Sequence, residues 1–118
     1  MTRHPDLLLL RDKLRTFAEV RDWDQFHSPK NLSMALMVEA AELMEHFQWL
    51  SELQSGNLAA EDKDAVAEEL ADILLYLVRL ADKLEVDLPE AALRKLVKNE
   101  AKYPVEKVRG SAKKYSDY

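Results

Sequence analysis

A length of 118 residues, 47% of them hydrophobic and 33% charged, suits a single domain spanning residues 1–118 and excludes a disordered chain. The absence of cysteine excludes disulfides, zinc thiolates and thiol nucleophiles, and it fits a reducing, cytoplasmic setting. The net charge of −5 argues against a nucleic-acid polymer as partner. No apolar run reaches membrane-spanning length, because Asp72 and Arg79 break the best candidate.

Two glycines and four prolines leave little to punctuate strands, whereas alanine, leucine, glutamate and lysine favour helix. No signal-peptide pattern is expected at the start, since residues 7–10 run directly into Arg11, Asp12 and Lys13. A first helix is predicted over residues 6–21, followed by a loop through His27. Ser28-Pro29 is an N-cap with proline at the first helical position, and the helix it opens is expected to reach Leu50. Residues 51–60 read as a loop, residues 61–84 as a third helix, and Pro89 opens a fourth ending near Tyr103-Pro104. Residues 105–118 read as an irregular basic tail. The expected fold is all-α, a four-helix bundle-like subunit.

The second and third helices carry apolar residues nearly all round. Leu32, Leu36, Leu43, Phe47 and Leu50 form one stripe, while Met34, Met37, Val38, Ala41 and Met44 cover much of the opposite side. Four short helices cannot enclose two such faces. A homo-oligomer, a tight dimer or tetramer, is therefore expected to bury the remainder.

Within these runs lie two acidic pairs, Glu39-x-x-Glu42 and Glu69-x-x-Asp72. A spacing of i, i+3 puts both carboxylates of a pair on one helix face, about 60° apart around the axis and roughly 4.5 Å along it. Solvated carboxylates sit on polar stripes, but Glu39 has Leu36 and Leu43 on its face and Asp72 interrupts an apolar run. Burying like charges costs several kcal/mol each unless something compensates. A hard divalent cation held by oxygen ligands is the economical compensator, and carboxylate-only ligation favours Mg2+, with Mn2+ able to substitute. A di-iron bundle requires Glu-x-x-His, which is absent, since His46 stands four residues after Glu42.

Residues 94–114 hold eight basic and two acidic side chains, although the rest of the chain is acidic. Lys95, Asn99 and Lys102 follow helical spacing along one face, and Lys107, Arg109, Lys113 and Lys114 come after them. Singly these are surface charges; opposite a metal they suit a triphosphate. Trp23, Phe26, His27, Phe47 and Trp49 form an aromatic group. Core packing accounts for Phe26 and Phe47. Two tryptophans near loops can instead sandwich a flat base, worth about 1–3 kcal/mol per base.

In combination these residues resemble the MazG-type all-α nucleoside triphosphate pyrophosphohydrolases, and within them the dCTP pyrophosphatase branch. The resemblance is carried by the acidic signature together with residues 21–27 (RDWDQFH), Phe47-Gln48-Trp49, residues 68–77 (EELADILLYL), Asn99, Lys102-Tyr103-Pro104-Val105 and residues 109–115 (RGSAKKY). It implies magnesium-dependent hydrolysis of a deoxynucleoside triphosphate, foremost dCTP, to the monophosphate and pyrophosphate. It also implies Glu39, Glu42, Glu69 and Asp72 as metal ligands, with Glu39 or Glu42 as the group that orients or deprotonates water. Trp23, His27 and Trp49 are implied at the base, Tyr76 near the deoxyribose, and Lys95, Asn99, Lys102, Arg109 and Lys114 near phosphates. The alternatives are a pyrophosphohydrolase for another or modified nucleotide, such as dUTP, and a non-catalytic helical assembly protein.

Overall fold

The computed structural model describes residues 6–112, and they are helical, with no strand among them. Six α-helices and one 3-10 turn follow in order: α1 (Leu7–Val20), the 3-10 turn (Asp24–Phe26), α2 (Pro29–Glu45), α3 (Glu52–Ser55), α4 (Ala60–Lys83), α5 (Leu88–Lys102) and α6 (Val105–Val108). The expected helix starts are present for local reasons. Asp6 caps α1 by accepting from Leu9 N, Ser28 caps α2 by accepting from Asn31 N, and Asp87 caps α5 by accepting from Glu90 N.

The chain divides into two compact units, one ending at Val86 and one beginning at Asp87. In the first, α4 is the central element: α2 packs along it most extensively and α1 packs beside it. The buried side chains are few, namely Ala18, Leu32, Val66, Val78 and Ala81, with Arg79 among them as the one buried charge of the described residues. The second apolar face of α2 remains exposed at Met34, Met37, Val38 and Met44, as do Leu70 and Leu74 of α4. The second unit consists of α5 and α6. No helix of the described residues is long and apolar enough to cross a membrane.

Three boundaries differ from expectation. Helix α2 stops at Glu45 rather than Leu50, because the His46 N–H turns back to Leu43 O and Met44 O and tight turns follow through Leu50. The expected loop after it contains α3, nucleated by a capping box: Ser51 Oγ accepts from Gln54 N while Gln54 Oε1 accepts from Ser51 N. The tail expected to be irregular begins with the single turn α6 after Pro104.

Helices α1 and α4 end alike. Asp22 and Glu85 take φ values of +53° and +56°, and the next residues, Trp23 and Val86, donate back to Ala18 O and Ala81 O. Both are Schellman closures made without glycine. The first turns the chain sharply enough to set Trp23 and His27 beside α4.

Candidate active site

The two acidic pairs meet where α2 lies along α4. Glu39, Glu69 and Asp72 each present a carboxylate oxygen within 4.8 Å of the others. Glu42 stands outside this tight group and adjoins Glu39 instead. Glu39 Oε2 and Glu69 Oε2 are buried without a hydrogen-bond partner. Their neighbours in the cluster are themselves carboxylates. Burial first, then the approach of Glu42 and Glu69 and the charge of Asp72, push the Glu39 carboxyl from 4.5 up to about 7. The second oxygen of Glu69 faces His46 Nε2 at 3.9 Å, too long for a hydrogen bond.

Next to the cluster opens a cavity of about 250 Å3. Leu14 and Phe17 of α1 form one wall, Leu32 and Glu39 of α2 a second, and Asp72, Leu75, Tyr76 and Arg79 of α4 a third; Trp23 and His27 close it. The volume is below the roughly 300–1,000 Å3 of drug-sized ligand sites, which suits one flat ring rather than a whole nucleotide. The aromatic wall is ordered by edge contacts. Phe17 and Trp23 meet at 5.7 Å and 72°, Trp23 and His27 at 6.4 Å and 65°, and the Arg21 guanidinium lies 3.7 Å over the Phe17 ring.

At the far end of the cavity the charges are paired. Arg79, 5% exposed, donates from Nε to His27 Nδ1 at 3.1 Å and from Nη2 to Asp24 Oδ1 at 2.7 Å. Asp24 also pairs with Lys83, and Asp82 accepts from Arg15 Nε at 2.8 Å. Burial, then the cations of Arg79 and Lys83, hold the His27 imidazole below its ordinary pKa of 6.5.

The structure thus gathers Glu39, Asp72, Trp23, His27 and Tyr76 around one cavity, with Glu69 in the carboxylate cluster. Trp49 is not part of that wall. It sits in the turns after α2 and is 88% exposed. Lys95, Asn99 and Lys102 lie on α5, and Arg109 directly follows α6, all in the second unit. Lys114 lies outside the described residues.

Sequence reasoning treated Arg79 only as a break in an apolar run and assigned Asp24 no role. The available signal was a lone arginine in that run with Asp82 three residues on, the pattern of a buried ion pair.

A family model described as the MazG-like family matches residues 34–118. The chain is 48% identical to dCTP pyrophosphatase 1 of Rattus norvegicus and 43% identical to that of Homo sapiens. Each match extends over 115 residues, 96% of this chain and 68% of the relative. A crystal structure of a pyrophosphatase from Archaeoglobus fulgidus superposes with a TM-score of 0.80 at 42% identity, covering 88% of this chain and 97% of that one.

Proposed function

Since the chain belongs to the MazG-like family, we propose that it hydrolyses dCTP to dCMP and pyrophosphate, with residues 1–118 acting as one nucleotide-hydrolysing domain. The observation that carries the reading is the pair of buried, unmet oxygens on Glu39 and Glu69, beside a cavity sized for one ring. Acceptors buried without donors are costly, and the donor set is all carboxylate, so the residues fit a hard divalent cation. Glu39, Glu69 and Asp72, with Glu42 next to them, would hold Mg2+, or Mn2+ in its place. A divalent ion there neutralises phosphate charge and acidifies water.

The side chains supply the rest. Trp23, His27 and Trp49 serve the base and Tyr76 the deoxyribose. Lys95, Asn99, Lys102, Arg109 and Lys114 serve the phosphates. Water oxygen bonds to the α-phosphorus as the α–β bridging bond breaks. Pyrophosphate leaves, and the water proton goes to Glu39 or Glu42. The exposed apolar side chains of α2 and α4 support a homo-oligomeric enzyme; light scattering at dilute protein tests this, and an active monomer would refute it.

The deciding experiment is a panel of nucleoside triphosphates with magnesium, with EDTA controls. The expected result is pyrophosphate and dCMP from dCTP, lost in EDTA. Absence of pyrophosphate from every triphosphate overturns the reading, and preference for dUTP or a modified dCTP moves the substrate.

A further inference from the structure

The guanidinium of Arg79 is a donor only, because arginine keeps its proton in proteins. Its Nε points at His27 Nδ1 from 3.1 Å, so that nitrogen must offer a lone pair. A neutral imidazole then carries its proton on Nε2. A protonated ring would set two N–H groups head to head. Arg79 cannot turn away from this contact: Asp24 holds Nη2 at 2.7 Å and Asp82 lies 3.5 Å from Nη1. His27 makes no other side-chain hydrogen bond among the described residues, which leaves Nε2–H for a ligand in the cavity that the ring lines.

We propose that Arg79 is a positioning residue that fixes His27 as the Nε2–H tautomer, so that this ring offers a base in the cavity a neutral donor and favours a ring acceptor. The inference rests on the cavity being the base site of the proposed hydrolase. Cytosine presents adjacent acceptors at O2 and N3, whereas uracil and thymine carry a proton on N3. A charged imidazolium would add a non-selective attraction for the polyphosphate; Arg79 and Lys83 on α4 oppose that charge, while Asp24 of the 3-10 turn favours it and Glu39 of α2 and Asp72 of α4 line the same cavity.

The test is nitrogen NMR of the imidazole in the full chain, together with kinetics. In the wild type, His27 should show Nε2 protonated and Nδ1 bare at neutral pH. Arg79→Lys keeps the cation but loses the Nε donor; it should give mixed tautomers and raise KM for dCTP roughly tenfold, the worth of one hydrogen bond. The loss should fall on KM rather than kcat, and the inhibition constant of tripolyphosphate should hold. His27→Gln retains an amide donor near the Nε2 position. In that background Arg79→Lys should raise KM less than twofold.

An Nδ1–H tautomer in the wild type overturns the proposal. So does an equal effect of Arg79→Lys in both backgrounds, which would make Arg79 a folding residue. If Arg79→Lys fails to fold, the wild-type spectrum decides alone. A protein that hydrolyses no triphosphate yet shows the Nε2–H tautomer refutes the activity and the base selection while leaving the Arg79–His27 geometry standing. An active enzyme with the other tautomer refutes this inference and leaves the activity.

Discussion

The two ends of the cavity are built on one helix and treat charge in opposite ways. Toward the C-terminus of α4, every cation meets an anion: Arg79 meets Asp24, Asp82 meets Arg15, and Lys83 meets Asp24. About two turns earlier on the same helix, Glu69 and Asp72 join Glu39 in a group of like charges, and among the described residues the one side chain paired with the group is His46, 3.9 Å from Glu69. The paired end is complete within the chain and holds aromatic groups in place. The carboxylate end is left with an excess of acceptors, which is the feature the proposed cation site rests on.

The largest expected effect breaks the carboxylate end. Glu69→Gln should cut kcat/KM with magnesium by about 10²-fold or more, the scale of losing a group that stabilises developing charge. The same change should raise the melting temperature in EDTA, because it removes one of the crowded like charges. Turnover near that of the wild type would mean Glu69 is not a metal ligand.

The pH dependence of the metal-free protein should separate the ends by sign. The Glu39 carboxyl sits at about 7 when folded against 4.5 ordinarily, so between these values the folded state holds a proton that the unfolded chain has lost. Stability therefore falls as pH rises through that window. At the other end, the hydrogen bond from Arg15, aided by the charges of Arg15 and Arg79, holds the Asp82 carboxyl below its ordinary 3.8. Its contribution is present above 3.8 and is lost as pH falls below it. Melts in EDTA should show both slopes, and Glu39→Gln should flatten only the upper one. An unchanged upper slope in that variant would place the strain elsewhere.

Breaking the paired end should cost less and should act on folding first. Asp82→Asn removes the charge facing Arg15 and Arg79, and charge-assisted hydrogen bonds contribute roughly 1.5–3 kcal/mol. Urea denaturation should show a loss of that size. A loss of under half a kcal/mol would mean that Asp24 alone anchors Arg79.

The comparison also shows what the sequence could disclose. The carboxylate end was legible because helical periodicity places i, i+3 pairs on one face; the apolar neighbours flagged the partial burial of Glu39 and Glu69, whereas Asp72 is exposed despite the apolar run around it. Which three of the four acids gather was not legible, since Glu39 and Glu42 share a face and only side-chain placement separates them. The paired end was hidden by distance: Arg79 lies 55 residues from Asp24 and 52 from His27, and no spacing rule connects them. The starts of α2 and α5 were visible in Ser28-Pro29 and in Pro89, whereas the Asp87 cap of α5 was not read from the sequence. The end of α2 was obscured because Phe47 and Leu50 continue the apolar stripe, while the Ser51 and Gln54 pattern that starts α3 is purely polar.

The smallest expected effect sharpens the picture of the paired end, through the way α4 stops just beyond it. Glu85 occupies the left-handed region at φ +56° so that Val86 N can reach Ala81 O at 2.8 Å. That region costs a residue with a Cβ roughly 1–2 kcal/mol relative to glycine. Glycine returns about 0.4–1 kcal/mol of this through the extra freedom it gives the unfolded chain. Glu85→Gly should therefore stabilise the protein by about 0.5–1 kcal/mol, read as a higher denaturation midpoint at unchanged slope. Asp22 has the same backbone at φ +53°, but its carboxylate accepts from Gln25 Nε2 at 3.0 Å. Asp22→Gly gains the same backbone relief and loses that bond, so its net gain should be smaller. Equal gains would mean that the Gln25 contact contributes nothing. A loss at Glu85 would show that its side chain, and not only its backbone, holds the end of α4.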